Sequence, residues 1–156
     1  MARTAKKKAK VTREDFLDLM ASLKAERESR IQGMPLSGAF RPRANRGEIE
    51  RRLGRPGFFL RLQDALLDAF GNRYYGLVLY GSQARGDVGP DSDVDVLVLL
   101  DGPVNVVDDS NRAIEASYEV ALEIEEPLSL IVASAQDFEH SERSFYRNVR
   151  EEALWL

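Results

Sequence analysis

The sequence predicts an α/β (α+β) domain with a small mixed sheet of three or four strands, helices mainly on one face, and an N-terminal helical extension. Apolar runs over residues 74–80, 93–100 and 128–133 have the length of strands. The second run is apolar on both faces from Val96 to Leu100, as expected for a strand in a covered sheet. Residues 58–70, 108–124 and 144–153 carry apolar residues at helical spacing, so helices should cover the sheet.

The first 57 residues differ in character from the rest of the chain. Residues 1–10 are rich in lysine and almost devoid of apolar side chains, which predicts a disordered basic tail. Residues 11–57 are predicted to form a helical and arginine-rich extension. Its main helix is expected over residues 13–31, from four apolar residues at positions i, i+3, i+4 and i+7: Phe16, Leu19, Met20 and Leu23. A short second helix is expected over residues 47–53.

Residues 58–156 contain all the predicted strands. The elements expected here, in order, are a helix over 58–70, strands over 74–80 and 93–100, a helix over 108–124, a strand over 128–133, a short helix opened by Ser134 with Asp137, and a last helix over 144–153. Gly71 after the first of these helices is a good helix end. In the helix over 108–124, the side chains predicted to face inward are Ile114, Tyr118, Ala121 and Leu122.

Composition excludes several classes of protein. The chain has no cysteine, which removes disulfides, thiolate metal sites and a cysteine nucleophile. No apolar run approaches the ~20 residues of a membrane span, and the basic N-terminus lacks the apolar stretch of a secretory signal. A cytoplasmic protein without a membrane partner is therefore expected.

The net charge of −4 conceals an uneven distribution. Residues 1–70 hold 16 Lys and Arg against 9 Asp and Glu, which gives +7, whereas residues 71–156 hold 6 against 17, which gives −11. The basic part is suited either to nucleic acid or to the acidic second part of the same chain.

One stretch combines residue types that suit phosphate and metal. Gly81 and Ser82 follow the first apolar run, and Asp93 and Asp95 open the second. Because side chains alternate along a strand, both aspartates should point the same way. Two carboxylates on one face repel each other unless a cation lies between them, and with phosphate oxygens they suit Mg²⁺. The turn offers backbone N–H groups and a hydroxyl to phosphate, so the pattern favours phosphoryl or nucleotidyl transfer.

The spacing Gly81-Ser82, ten residues, then Asp93-x-Asp95 resembles that of the nucleotidyltransferase superfamily typified by DNA polymerase beta. The run Tyr80-Gly-Ser-Gln-Ala-Arg-Gly-Asp is similar to that of the minimal nucleotidyltransferases, which include MntA-type antitoxins that partner HEPN proteins. The resemblance covers residues 58–156 and implies a small mixed nucleotidyltransferase sheet.

The resemblance also implies roles for individual residues. Asp93 and Asp95 would be the catalytic pair and would hold two Mg²⁺ ions. Gly81 would let the backbone approach the nucleotide, Ser82 would bind its β- and γ-phosphates, and Arg85 would neutralise phosphate charge. The substrate would be a nucleoside triphosphate, most simply ATP, and the acceptor a hydroxyl, which in an MntA-like protein is a tyrosine of a HEPN partner. Arg85 has an alternative use in an ion pair with Asp87 or Asp91.

The sequence departs from the family pattern at one point. The family usually has a third carboxylate on the neighbouring strand, and here alternation puts Ser129 in that place, with Glu125 upstream as a candidate replacement. The departure leaves two alternatives to an active transferase of protein hydroxyls. One is a weakly active or inactive module that binds a nucleotide or a partner. The other is a nucleotidyltransferase brought to nucleic acid by its basic N-terminal part.

Overall fold

The structure is a computed structural model and describes residues 45–156. Its centre is a four-stranded sheet in the order β3-β2-β1-β4, with β1 at Tyr74–Tyr80, β2 at Val94–Leu100, β3 at Leu128–Ser134 and β4 at Leu154–Trp155. The strand β1 runs antiparallel to β2 and β4, and β2 runs parallel to β3. The predicted mixed α+β sheet is confirmed. The predicted basic tail and the predicted helix over residues 13–31 lie outside the described residues.

Two helices precede the sheet and are joined through one carboxylate. They are α1 at Arg46–Arg52 and α2 at Phe58–Phe70, followed by a short 3₁₀ turn at Gly71–Arg73. Glu50, which is buried, accepts hydrogen bonds from the backbone N–H of Gly57 at 2.9 Å and of Phe59 at 3.1 Å. Burial by itself raises the pKa of Glu50, but these N–H donors and Arg46 outweigh it and hold the pKa below its ordinary value. Glu50 therefore satisfies N–H groups at the start of α2 that its glycine N-cap leaves without a side-chain partner.

The sheet is covered on both faces. Val78, Leu97 and Leu99 pack in a cluster with side chains of two short helices near the C-terminus, α5 at Ala135–His140 and α6 at Ser144–Glu152. The alternate side chains of β1 and β2 point to the opposite face, and there α2 packs on β1 and contacts α4 (Val106–Ala121), which packs on β3. A five-residue helix, α3 at Gly81–Arg85, directly follows β1. The longer helices thus lie together, as the fold class predicts.

The helix α4 corrects the prediction of which side chains face inward. Ile114, Tyr118 and Leu122 are 53%, 58% and 64% exposed, so the prediction that they face inward is wrong. The inward face is instead formed by small or polar residues, with Asp109, Ala113 and Ser117 buried. Asp109 is buried because it pairs with Arg73 and accepts the N–H of Asn105, contacts that apolar periodicity does not reveal. The large apolar residues consequently form a stripe on the outer face.

The C-terminal end adds a strand that the sequence analysis did not predict. Leu154 and Trp155 pair with Leu79 and Val78 of β1, directly after α6 ends. Two residues are too few to produce a recognisable alternation of polar and apolar side chains. Within residues 45–156 no helix is long and apolar enough to cross a membrane.

Candidate active site

Three neighbouring strands bring Tyr80, Asp95 and Ser129 side by side. In the antiparallel pairing of β1 and β2, Tyr80 lies opposite Asp95, and in the parallel pairing of β2 and β3, Asp95 lies opposite Ser129. Asp95 shares its face of the sheet with Leu97 and Leu99, because side chains two residues apart point the same way. That face is the one covered by α5 and α6. Asp95 therefore lies at the edge of a packed core and is half-buried.

Gly81 lies in close contact with Asp95. Its φ of +72° is in the left-handed region, and a Cβ atom at this position would lie 2.6 Å from the Asp95 Oδ2 atom. Only glycine combines that backbone conformation with such a close approach. After it, the backbone carbonyl of Ser82 accepts the N–H groups of Gly86 at 2.9 Å and Asp87 at 3.1 Å, which closes α3. The predicted Gly-Ser turn is thus the first turn of a short helix whose start touches the carboxylate of Asp95.

The environment of Asp95 disfavours its charged form. Burial raises the pKa of this carboxyl most, and the negative charge of Asp93 raises it further. A hydrogen bond from Ser129 and the positive charge of Arg85 act in the opposite direction without cancelling the rise. The two carboxylates of the motif therefore interact electrostatically, and a cation between them would relieve the repulsion.

Ser129 has a role that the sequence analysis did not anticipate. It occupies the position where the family pattern has a carboxylate, and its hydroxyl hydrogen-bonds to Asp95. A hydroxyl is a poor metal ligand, but it can fix the orientation of the carboxylate beside it. Glu125 is exposed in the loop before β3, and it is Glu152, not Glu125, whose charge acts on Asp95 together with Asp93.

Glu152, at the end of α6, was not among the candidates from the sequence. Its Oε1 atom accepts the N–H of Gly81 at 3.0 Å, and its Oε2 atom accepts a hydrogen bond from Arg85 Nη1 at 2.6 Å. Arg85 also pairs with Asp87, at 3.2 Å, so one of the ion pairs considered from the sequence is present. A glutamate 71 residues from Gly81 carries no local signal, and only the pairing of β4 with β1 brings it here.

An aromatic pair borders the carboxylates. The ring of Tyr80 makes an edge contact with Phe145 of α6, with centroids 5.8 Å apart. Burial raises the pKa of Tyr80 to about 12, with the negative charges of Asp95 and Glu152 adding to the effect. The Tyr80 hydroxyl therefore stays protonated and neutral at physiological pH, and its ring borders the site.

The structure thus places most of the residues that the sequence singled out around Asp95. Gly81 touches Asp95, the charges of Asp93 and Arg85 act on Asp95, and Ser82 lies in the first turn of α3. Within residues 45–156, however, no cluster of three or more His, Cys, Asp or Glu side chains has the geometry to hold a metal ion. Glu152 accordingly does not complete a three-carboxylate site with Asp93 and Asp95.

Comparison with known proteins identifies the family to which this chain is related. The family described as "Nucleotidyltransferase domain" matches residues 61–155. A protein of Methanocaldococcus jannaschii named "Putative protein adenylyltransferase MJ0604" is 33% identical over 94 residues, which are 60% of this chain and 88% of that protein. A crystal structure titled as a "putative nucleotidyltransferase" from Sulfolobus solfataricus superposes with a TM-score of 0.43 at 22% identity, covering 69% of this chain and 82% of the other.

The protein is therefore an enzyme of the transferase class, one that transfers nucleotidyl groups. The chain belongs to the nucleotidyltransferase-domain family, whose match spans α2 to β4 and contains Gly81, Asp93 and Asp95.

Proposed function

We propose that this enzyme transfers AMP from ATP to a hydroxyl group of a protein, with Mg²⁺ bound by Asp93 and Asp95. The observation that supports it most is the placement of Asp95, which lies against Gly81 and has its pKa raised by burial and by Asp93. The name of the archaeal relative, a protein adenylyltransferase, favours ATP as the nucleotide and a protein as the acceptor.

The residues present fit a magnesium ion bound together with nucleotide. Mg²⁺ prefers a few carboxylate ligands and takes the rest of its shell from water and phosphate oxygens. Two neighbouring carboxylates, of which one lies opposite Ser129, meet that requirement without a third. When bound, up to two Mg²⁺ ions would offset the charge of the triphosphate and lower the pKa of the attacking hydroxyl.

The chain's own residues would bind and orient the triphosphate. In the proposed reaction, the acceptor oxygen forms a bond to the α-phosphorus, the bond from that phosphorus to the bridging oxygen breaks, and pyrophosphate leaves with the bond's electron pair. The acceptor hydroxyl gives up its proton to solvent water. Ser82, in the first turn of α3, and Arg85, its last residue, would contact the departing phosphates. Because Ser129 cannot accept a proton at neutral pH, we expect transfer to be slow compared with family members that have a third carboxylate.

The outer surface of α4, which lies on the opposite face of the sheet from Asp95, is suited to contact with a protein partner. Ile114, Tyr118 and Leu122 are exposed along one side of the helix, and Glu115 and Glu119 are exposed beside them. A row of exposed large apolar side chains is typical of surfaces that meet another protein, and its acidic border suits a partner with basic residues. We propose that a partner of this kind, a HEPN-type protein as in MntA-like systems, presents the acceptor tyrosine.

The proposal is tested by following the α-phosphate. ATP labelled at the α-phosphorus is incubated with the full chain, Mg²⁺ and a lysate or a purified HEPN-type protein, and labelled protein is then detected. We expect labelling by the wild-type chain and none by a variant with Asp93→Asn and Asp95→Asn. Labelling that persists in that double variant would overturn the assignment of the two aspartates.

A further inference from the structure

The Glu152 carboxylate contacts two of the groups assigned to nucleotide binding. One oxygen accepts the Gly81 N–H at 3.0 Å, and the other accepts Arg85 Nη1 at 2.6 Å. The Glu152 side chain is 22% exposed and that of Arg85 is 39% exposed, so both lie at the solvent-exposed edge of the candidate site and not in the hydrophobic core. The contacts thus join the start and the end of α3 to the end of α6.

The sheet pairing explains why this glutamate is in place. Val78 lies opposite Trp155 and Leu79 opposite Leu154 in the antiparallel pairing of β1 with β4. Continued by two residues, the same register puts Glu152 opposite Gly81. The bond from the Gly81 N–H to the Glu152 side chain takes the place of the next ladder hydrogen bond. The position of Glu152 is therefore set by the strand pairing, and its carboxylate reaches Arg85 from there.

We propose that Glu152 is a positioning residue, which holds the Gly81 backbone and the Arg85 guanidinium in the arrangement that receives the triphosphate. This inference rests on the proposed function, since it concerns the same nucleotide. Without Glu152, the carboxylate bonded to Arg85 would be Asp87, which is 57% exposed and lies on the loop that follows α3. Arg85 would then be drawn toward solvent, and Gly81 would lose the bond that fixes its N–H.

The contacts suit positioning better than metal binding. Both Glu152 oxygens are already engaged, and residues 45–156 contain no three-carboxylate cluster suited to a metal. A contrasting role is that of a competitor, a carboxylate that occupies the place of a phosphate and has to leave before ATP binds. The two roles predict opposite changes in nucleotide affinity, so a single substitution separates them.

The test uses Glu152→Gln in the full chain, with Glu151→Gln as the matched control. The glutamine keeps the size of the side chain and an oxygen for the Gly81 N–H, but it loses the charge that pairs with Arg85. The control removes the same charge from the neighbouring exposed glutamate. Dissociation constants for Mg-ATP and for AMP are measured by calorimetry, and the Gly81 amide resonance is followed by NMR.

We expect Glu152→Gln to weaken Mg-ATP binding by about 10-fold or more, the range for loss of a hydrogen bond to a charged group. AMP lacks the β- and γ-phosphates, so its affinity for Glu152→Gln should stay within about 2-fold of its affinity for wild type. A general loss of structure, in contrast, would weaken the binding of AMP as well as that of ATP. The Gly81 resonance should shift in Glu152→Gln and not in Glu151→Gln.

Tighter Mg-ATP binding by Glu152→Gln would overturn the proposal in favour of the competitor role. Equal losses for ATP and AMP would also overturn it, because they would indicate only a structural contact. Glu152→Asp, which keeps the charge on a shorter side chain, should recover part of the ATP affinity. Failure of wild-type protein to bind Mg-ATP would refute the proposed function itself, an outcome that the wild-type titration alone reveals.

Discussion

Replacing Gly81 by alanine should damage the nucleotide site more than the fold. The backbone at Gly81 has a φ of +72°, and an alanine in the left-handed region costs roughly 1–2 kcal/mol. Its Cβ would lie 2.6 Å from Asp95 Oδ2, whereas ordinary contacts begin at 3.4 Å, so the carboxylate has to retreat by about 0.8 Å. A displacement near 1 Å in a catalytic group can lower a rate by about 10²-fold.

Gly102 provides the matched control for this substitution. Its φ is +79°, and a Cβ atom there would have no neighbour within 4 Å, so Gly102→Ala introduces backbone strain without touching Asp95. Urea unfolding should show a loss of about 1–2 kcal/mol in the free energy of unfolding of both variants. Transfer of α-labelled AMP should fall by about 10²-fold in Gly81→Ala alone. Equal transfer by the two variants would refute the reasoning, because the contact with Asp95 would then have no functional consequence.

Four further predictions follow from other parts of the chain. Glu50→Gln should lower the free energy of unfolding at pH 7 by about 1–3 kcal/mol, because the Gly57 and Phe59 N–H groups lose a charged acceptor; urea unfolding measures this, and an unchanged midpoint would contradict it. Asp109→Asn should lower the free energy of unfolding by a similar ~1–3 kcal/mol, because it weakens the contacts with Arg73 and Asn105. Since the Arg73 hydrogen bonds hold the folded-state pKa of Asp109 below its ordinary value, this loss of stability relative to wild type should be full above pH ~4 and should shrink as pH falls through the lowered pKa. A loss of stability that grows toward acid pH would contradict the sign of this prediction. Ile114→Ser should change the free energy of unfolding by less than about 0.5 kcal/mol while reducing labelling of a protein acceptor, and full labelling would remove α4 as the contact surface. If the basic N-terminal part binds RNA, affinity measured by filter binding should fall steeply with salt and be lost on deleting residues 1–44, which leaves α1 intact; salt-insensitive binding would argue against this contact.

Much of the fold could be predicted because its signals are local. The helix Phe58–Phe70 and the strand Tyr74–Tyr80 have the predicted bounds, since a periodic apolar face and a glycine C-cap define one and a short apolar run defines the other. Ser134 caps α5 as expected, accepting the N–H of Asp137 at 3.4 Å. These elements depend on neighbours a few residues apart, which a single sequence displays directly.

The prediction of the inward face of α4 was wrong because contacts between residues distant in the sequence determine that face. The helix α4 turns small residues inward because Asp109 pairs with Arg73, 36 residues away, which binds the first turn of the helix to the start of β1. The apolar periodicity of Ile114, Tyr118 and Leu122 is real, but it marks the exposed face. Hydrophobic spacing shows that a helix has an apolar face, but it does not show which surface that face contacts.

The candidate site shows the same division. Gly81, Ser82, Asp93 and Asp95 stand out because their spacing is short and characteristic, and their catalytic and metal-binding roles stay predictions. Glu152 does not stand out, since it enters the site through a two-residue strand at the far end of the domain. An acidic residue just before the last strand, opposite the glycine of the motif, is the sequence signal that would have identified it.

The pair Asp93 and Asp95 is tested most directly by calorimetric titration of the full chain with ATP, with and without Mg²⁺. The wild-type chain should bind ATP when Mg²⁺ is present and lose that binding when the metal is chelated. The variant with Asp93→Asn and Asp95→Asn should show no such dependence on the metal, because the charges that hold it are gone. Magnesium-dependent binding of ATP by this double variant, with wild-type affinity, would contradict the account.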